Sequence, residues 1–238
     1  MTITTLPILK DNYAYIITFE NGQTAVIDPG EAAPVIDFLE AHDLKLDLII
    51  NTHHHGDHIA GNAALKERYH CPLAAPLKEA DKIGEVDLPL AEGHDLTFGG
   101  ERGIIIETPG HTLGHICLHY PNRSSIFTGD TLFSMGCGRL FESTADMMFA
   151  AFQKLAKLPE DTLVYCGHEY TQSNAAFALH VAPENADIAA RAAEVNALRA
   201  KGQPTIPTSI GLEKKTNVFF HCKTAQDFAA LRARKDSF

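Results

Sequence analysis

A histidine-rich segment at residues 52–58 constrains the fold of this chain more than any other part of its sequence. The segment reads THHHGDH, and it follows the apolar run of residues 46–50. The residues after it, 59–69, carry the apolar spacing of a helix. The histidine-rich segment is therefore predicted to form the turn between a buried strand and a helix, where four potential metal ligands can gather.

The potential ligands of this turn divide into two pairs. His53 and His55 are two residues apart and point the same way in extended backbone, whereas His54 points away. Asp57 and His58 stand at the start of the next helix, where backbone N–H groups and the helix dipole favour a carboxylate. Each pair can serve one metal ion, with the two ions about 3.5–4 Å apart as in two-metal hydrolases. A histidine tag would instead stand at a terminus, without the aspartate or the strand.

The composition predicts an ordinary globular protein with one large domain, or one domain and a small appendage. The chain has 238 residues, of which 45% are apolar, and no run approaches the length of a membrane span. Lys and Arg number 20 against 30 Asp and Glu, and the net charge of −10 argues against a nucleic-acid or anionic-membrane partner. Five scattered cysteines without a C-x-x-C pair, and no secretory signal, predict a reducing compartment, the cytoplasm.

The order of the predicted elements indicates an α/β fold with helices outside the sheets. Strand and helix patterns alternate up to about residue 170, after which the sequence becomes alanine-rich and helical. Prolines at 204 and 207 mark an extended linker before a last helix, which begins at the predicted cap Thr224. The expected domains are residues 1–170, which would bind metal and carry catalysis, and residues 171–238, a small and mostly helical extension.

Three further polar residues follow predicted strands, and a glycine precedes each of them, which lets the backbone turn sharply. Ligands from such loops converge at one edge of a sheet. His111 can complete the first pair of ligands and His168 the second, while the two oxygens of Asp130 can bridge both ions. Zn is the first expectation for such N/O sites, with Fe and Mn as alternatives. The predicted metal ligands are His53, His55, Asp57, His58, His111, Asp130 and His168.

Other histidines and the cysteines are expected to have supporting roles. His54 is predicted to face the interior rather than a metal, and His115 to orient a ligand through a hydrogen bond. Cys137 and Cys166 are predicted to be structural, with a zinc–thiolate role as the alternative.

Four motifs carry a family resemblance. THHHGDH, PGHT, TGDTLF and CGHEYT resemble the metallo-β-lactamase superfamily and, more narrowly, glyoxalase II, the hydroxyacylglutathione hydrolases. The H-x-H-x-D-H pattern marks only the superfamily, and CGHEYT with the C-terminal tail supports the narrower family. The resemblance implies an αββα sandwich followed by a small helical substrate domain. It also implies the same seven metal ligands, with Asp130 as the bridge.

The resemblance further assigns substrate contacts. The positions that match the glutathione contacts of the family are Arg139, Phe141, Tyr170, Asn174, Arg232 and Lys235. Relatives often have tyrosine where Phe141 stands, so one substrate hydrogen bond is expected to be lost. Independently of the resemblance, Arg232 and Lys235 share one helical face and can point at the same carboxylate-bearing ligand. Residues 213–238 hold six basic against three acidic residues, which would attract an anionic substrate to a negatively charged protein.

The function implied is hydrolysis of S-2-hydroxyacylglutathione, such as S-lactoylglutathione, to glutathione and a 2-hydroxy acid. A hydroxide that bridges two metal ions would attack the thioester, since the metals lower the pKa of water to about 7. Asp57 would orient this nucleophile, and a thiolate leaves without a strong general acid. The expected enzyme is a monomer with this small-molecule substrate. The alternatives are a hydrolase of lactones, β-lactams or phosphodiesters, a mononuclear iron persulfide dioxygenase, and a non-catalytic metal or redox module.

Overall fold

The computed structural model describes all of residues 1–238 and divides the chain into two compact units. The first unit contains residues 1–107 and 114–123, and the second contains residues 108–113 and 124–238. No helix combines the length and the apolar character that a membrane crossing requires.

The first unit contains a six-stranded mixed sheet and three further strands that pair antiparallel with one another. The first three strands of the six-stranded sheet pair antiparallel, and the third to the sixth pair parallel. Phe19, which follows the second strand, contacts both Phe98 and Tyr120, with ring centroids 5.4 and 6.4 Å apart. The end of that strand therefore packs against residues of the three further strands. The strands are β1 (Thr2–Ile8), β2 (Asn12–Thr18), β3 (Thr24–Ile27), β4 (Leu48–Ile50), β5 (Leu73–Pro76), β6 (Leu88–Leu90), β7 (Leu96–Phe98), β8 (Glu101–Glu107) and β9 (Ile116–Tyr120).

Four helices belong to the first unit: α1 (Ala32–Ala41), α2 (Gly56–Ile59), α3 (Asn62–Tyr69) and α4 (Ala80–Ile83). Val35 and Leu39 of α1 are fully buried in a cluster with sheet residues such as Val26 and Ile49. The single helix predicted over residues 59–69 is instead broken between α2 and α3. A side chain at Gly61 would meet the Pro29 carbonyl oxygen at 2.4 Å, so close backbone packing accompanies the break.

The second unit combines short strands with five helices. Its strand Leu163–Cys166 pairs parallel to Ser125–Gly129 and antiparallel to Thr208–Ser209, so the linker that contains Pro204 and Pro207 ends in a strand rather than remaining unpaired. The rings of Phe152, Phe219 and Phe228 form its aromatic core, with centroids 5.1–6.5 Å apart. The elements are β10 (Ser125–Gly129), β11 (Leu132–Phe133), β12 (Gly136–Cys137), α5 (Ala145–Leu155), β13 (Leu163–Cys166), α6 (Thr171–Val181), α7 (Ala186–Arg199), β14 (Thr208–Ser209), α8 (Ile210–Thr216) and α9 (Ala225–Asp236).

Polar side chains fix where the helices of the second unit begin. Thr144 caps α5, Asn185 caps α7 and Ser209 caps α8, each by accepting a hydrogen bond from a backbone N–H of the first turn. Thr224 and Asp227 form a reciprocal capping box at α9, which confirms the predicted helix start. The alternation of strands and helices confirms the predicted α/β class.

Candidate metal centre

The histidine-rich segment connects β4 to α2, as predicted, and its potential ligands cluster in the first unit. The ring of His53 lies 4.8 Å from that of His55 and 4.2 Å from that of His58, measured between centroids. The Asp57 Oδ2 atom lies 3.6 Å from His58 Nε2. Close backbone packing supports the turn, because a side chain at Gly30 would overlap the Asp57 carbonyl group.

Asp28, directly after β3, makes three contacts with this turn. Its Oδ1 accepts a hydrogen bond from the Thr52 N–H at 2.8 Å, and its Oδ2 accepts one from Thr52 Oγ1 at 2.7 Å. The same Oδ2 lies 3.0 Å from His58 Nδ1, which leaves Nε2 as the ring nitrogen facing Asp57. A buried carboxylate beside a ligand imidazole fixes the tautomer and the ring orientation. Asp28 is not among the residues predicted from the sequence, although a carboxylate at a strand end was the available signal.

Asn12, at the start of β2, makes a second contact that was not predicted from the sequence. Its side-chain amide donates to Asp57 Oδ2 at 2.8 Å and is 3.3 Å from the Asp57 carbonyl oxygen. The amide is buried, and the two contacts restrict the rotation of the carboxylate. Asn12 therefore orients Asp57 within this unit.

The other three predicted ligands come together in the second unit. His111, Asp130 and His168 are all buried, and Asp130 Oδ2 lies 3.3 Å from the Nε2 atoms of both His111 and His168. Asp130 follows β10 and His168 follows β13, and these parallel neighbours bring their carboxyl ends to the same edge. Gly138 packs closely here, since a side chain would lie 1.9 Å from the Asp130 carbonyl oxygen.

The donor chemistry of both clusters fits divalent metal ions. Imidazole nitrogens and carboxylate oxygens are the ligands that Zn, Fe and Mn use in proteins. His111 Nδ1 lies 2.9 Å from the Arg139 carbonyl oxygen, as His58 Nδ1 lies beside Asp28, so each ring keeps Nε2 toward other donor atoms. Such backbone and carboxylate partners are typical of ligating histidines.

Two predicted substrate residues lie against histidines of the second unit. The Tyr170 ring stacks on His168, with centroids 4.6 Å apart and planes 7° from parallel. Phe141 lies edge-on to His111 at 5.3 Å and is 62% exposed. Both aromatic side chains therefore border predicted metal ligands and remain accessible.

Of the three basic residues predicted to bind substrate, Arg139 and Arg232 share one partner and Lys235 has another. The buried Arg232 guanidinium donates to the Cys137 carbonyl oxygen at 2.9 Å and to Asp236 Oδ1 at 2.8 Å. Arg139 Nε lies 3.5 Å from the same oxygen of Asp236, a residue that was not predicted from the sequence. Lys235 Nζ instead donates to the carbonyl and hydroxyl oxygens of Ser173, both at 3.1 Å.

Asn174 is buried, and its side-chain amide donates a hydrogen bond to the Ser134 carbonyl oxygen at 3.0 Å. Gly136 allows this approach, because a side chain there would meet the Asn174 amide at 2.5 Å. In this structure the Asn174 amide supports the β11–β12 hairpin.

The cysteines are free thiols. Burial raises the pKa of both Cys137 and Cys166 to about 12, which outweighs the opposing effect of Arg232 on Cys137. A thiol that stays protonated at neutral pH is neither a good nucleophile nor a ready metal ligand. These environments favour the predicted structural role over the zinc–thiolate alternative.

Comparison with known proteins shows which family this chain resembles. Residues 9–168 match the model of the metallo-β-lactamase superfamily, and residues 169–238 match that of the hydroxyacylglutathione hydrolase C-terminus. A hydroxyacylglutathione hydrolase of Ruegeria pomeroyi is 45% identical, covering 100% of this chain and 99% of the relative. The corresponding protein of Rhizobium etli is 46% identical, covering 96% of this chain and 95% of the relative. The chain belongs to the hydroxyacylglutathione hydrolase family.

Solved structures show the fold of this hydroxyacylglutathione hydrolase family member. ETHE1 from Myxococcus xanthus is 26% identical with a TM-score of 0.77, covering 98% of this chain and 90% of that one. A B3 metallo-β-lactamase, BLEG-1, is 22% identical with a TM-score of 0.73, covering 93% and 100%. The predicted metallo-β-lactamase fold and the predicted family are both confirmed.

Proposed function

We propose that this protein hydrolyses S-2-hydroxyacylglutathione thioesters, such as S-lactoylglutathione, to glutathione and a 2-hydroxy acid. The observation that carries this proposal is the match over the whole chain length to hydroxyacylglutathione hydrolases, including the C-terminal region at residues 169–238. A metal-binding fold alone would leave the substrate open, since one fold serves many reactions.

The proposed centre holds two divalent ions, with Zn as the first expectation and Fe or Mn as alternatives. Bound ions of this kind polarise a carbonyl oxygen and lower the pKa of water, which supplies a nucleophile at neutral pH. A related protein, 26% identical with a TM-score of 0.64 over 92% of this chain and 100% of that one, was solved in a di-iron-bound form. The proposed ligands are His53, His55 and His111 for one ion and Asp57, His58 and His168 for the other, with Asp130 shared.

The chain's own residues then orient the reaction. Asn12 restrains the Asp57 carboxylate, so that this group can accept a hydrogen bond from the attacking water in a fixed direction. Asp28 keeps the His58 ring in one tautomer. Asp130 carries its Oδ2 within 3.3 Å of two imidazoles, which suits a carboxylate that sets the separation of the metals. The thiolate product needs no strong general acid, because its pKa is about 8.5 in a free cysteine-type thiol.

The glutathione moiety is proposed to bind at the C-terminal extension, residues 171–238, with the catalytic domain in residues 1–170. Glutathione thioesters are anionic, so a chain with net charge −10 needs local positive charge at the binding site. The proposed contacts are Arg139, Phe141, Tyr170, Asn174, Arg232 and Lys235. Phe141 offers only its ring, so the hydrogen bond of a tyrosine hydroxyl is missing there.

The proposed enzyme works as a monomer in the cytoplasm. All five cysteines are free, which suits a reducing compartment.

The proposed activity is tested by release of free thiol from S-lactoylglutathione by the purified, metal-loaded protein. Parallel assays use a chromogenic β-lactam, a lactone, a phosphodiester, and glutathione persulfide with an oxygen electrode. Rapid thiol release with slow turnover of the other substrates is expected. Preferred turnover of one of those substrates, or none of S-lactoylglutathione, would overturn the assignment.

Substrate binding is expected to weaken at alkaline pH because Lys235 loses its charge there. Burial, and then the nearby positive charge of Arg232, lower the pKa of Lys235 from its ordinary value of 10.5. The ammonium group is therefore lost at a lower pH than in an exposed lysine, and the KM for S-lactoylglutathione is expected to rise before pH 10.5 is reached. Loss of one charged hydrogen bond corresponds to a rise of about tenfold.

The Lys235→Arg variant separates this effect from other titrations, because arginine stays charged over the whole range. Its KM is expected to stay flat where that of the wild type rises, after subtraction of the uncatalysed hydrolysis. Lys223→Arg, at an exposed position, is the matched control. Identical KM profiles for Lys235→Arg and the wild type would exclude Lys235 as a substrate contact.

A further inference from the structure

Glu79 is a buried carboxylate that has no assigned role in the proposed reaction. It ends a single 3₁₀ turn, Leu77–Glu79, that follows β5, and only 2% of the residue is exposed. Its Oε2 accepts a hydrogen bond from the backbone N–H of His54 at 2.7 Å and lies 2.8 Å from His54 Nδ1. Its Oε1 accepts a hydrogen bond from the backbone N–H of Gly114 at 2.8 Å. The two oxygens thus join two separate loops.

One of these loops carries proposed metal ligands on both sides of the contact. His54 stands between His53 and His55, so a hydrogen bond that fixes the His54 peptide restricts both neighbouring side chains. The His54 ring is turned toward Glu79, in line with the prediction that it does not face a metal.

The other loop is attached to the same turn by two further contacts. His115 follows Gly114, and its ring stacks on His53 with centroids 5.0 Å apart and planes 28° from parallel. The N–H of Ile116 donates to the Thr52 carbonyl oxygen at 3.0 Å. Glu79 supplies the charged link in this set of contacts, and charge-assisted hydrogen bonds are shorter and stronger than neutral ones.

The shape of the chain at Gly114 matches this contact. A Cβ atom there would lie 2.4 Å from Glu79 Cγ and 2.9 Å from Lys78 Cβ. Any larger residue would push the carboxylate away from the N–H groups it accepts from. The close approach and the hydrogen bonds are separate observations that define one arrangement.

We propose that Glu79 is a positioning residue for the metal centre, which holds the His53–His55 backbone against Gly114 and so sets where the His53 and His55 imidazoles point. It acts through the two peptides and not by contact with metal or substrate. The inference rests on the proposed metal-dependent function. It adds a residue distant in sequence, on the 3₁₀ turn after β5, to those that determine metal affinity.

The test compares Glu79→Gln with the wild type by competition for Zn²⁺ against a chromogenic chelator. The amide replaces one acceptor oxygen with a donor that faces an N–H group, so Zn²⁺ affinity is expected to fall by about 10- to 100-fold, as for other residues that support ligands. Glu79→Asp keeps the carboxylate and is expected to restore part of the affinity. Glu67→Gln, an exposed site with the same change in charge, is the control and is expected to match the wild type.

Two further readouts distinguish positioning from general destabilisation. The visible absorption spectrum of the Co²⁺-loaded Glu79→Gln protein is expected to change, and kcat for S-lactoylglutathione to fall at saturating metal with KM unchanged. The melting temperature of each metal-free variant monitors folding. Gly114→Ala displaces the same carboxylate without changing charge, so it should lower Zn²⁺ affinity even if Glu79→Gln fails to fold.

Wild-type affinity and an unchanged Co²⁺ spectrum in folded Glu79→Gln or Gly114→Ala would overturn the role of Glu79 alone. A wild-type protein that binds no metal would overturn the proposed function and this inference with it. The two failures are therefore distinguishable in the first measurement.

Discussion

Replacement of Asp130 with alanine is expected to abolish metal binding and thioester hydrolysis together. The carboxylate lies 3.3 Å from the Nε2 atoms of both His111 and His168, so its loss removes an anionic donor shared by two proposed sites. Metal ions contribute several kcal/mol of transition-state stabilisation, which corresponds to a fall of about a thousandfold in kcat/KM. Initial rates of thiol release and elemental analysis of the purified variant measure the two losses.

Two further variants define the role of the Asp130 carboxylate. Asp130→Asn keeps the shape and one oxygen but removes the charge, and its metal content is expected to lie between those of alanine and aspartate. Asp37→Ala, an exposed substitution on α1, is expected to behave as the wild type. An Asp130→Ala protein with full metal and full activity would contradict the proposed bridge.

The second large effect is expected from Arg232→Ala, which should raise the KM for S-lactoylglutathione about 10- to 100-fold. Hydrogen bonds to charged groups contribute about 1.5–3 kcal/mol, and each 1.36 kcal/mol is a factor of ten. Arg232 and Arg139 both lie within ion-pair distance of the single carboxylate of Asp236. Two guanidinium groups beside one carboxylate leave a net positive charge, which can attract a carboxylate of glutathione.

The contacts of Arg232 also give it a structural role that the experiment must separate. Its guanidinium donates to the Cys137 carbonyl oxygen at 2.9 Å, so Arg232→Ala leaves a buried carbonyl group without this donor. A thioester of lactate with N-acetylcysteamine lacks the carboxylates of glutathione, and its kcat/KM should be unaffected if Arg232 binds glutathione. Arg234→Ala, on the same helix but exposed, is the matched control. Equal losses with both thioesters would show a structural role instead.

The clustering of the proposed metal ligands within each unit could be anticipated because it depends on local patterns. Spacing by two residues distinguished His53 and His55 from His54, and a strand followed by glycine marked both Asp130 and His168. The position of a residue at a strand end can be read from a run of apolar residues. The convergence of such ends follows from the geometry of parallel strands, as the pairing of β10 with β13 illustrates.

The residues that orient these ligands were not predictable in the same way. Asn12 reaches Asp57 across 45 positions in the sequence, and Asp28 reaches His58 across 30. Such contacts depend on tertiary packing, so neither hydrophobic periodicity nor ligand spacing identifies the partner, even where a strand end marks the position, as at Asp28. Glu79 belongs to this class too, since it contacts His54 across 25 positions.

Local patterns were also insufficient where backbone packing interrupts an element. The apolar spacing of residues 59–69 predicted one helix, but the helix is interrupted at Gly61, which packs closely against Pro29. Arg232 and Lys235 share a face of α9, as their spacing required, yet they make hydrogen bonds to different partners. Spacing predicts the direction of a side chain, whereas its partner is set by the surrounding structure.

The central claim is that this chain's histidines and aspartates hold two metal ions on which hydrolysis depends. Its most direct test is a titration of metal-free protein with Zn²⁺, with bound metal and thiol release from S-lactoylglutathione followed in the same samples. Two equivalents of bound metal per chain are expected, with activity absent at the start and rising as the sites fill. Full thiol release by the metal-free protein, or no metal bound at saturation, would contradict the claim.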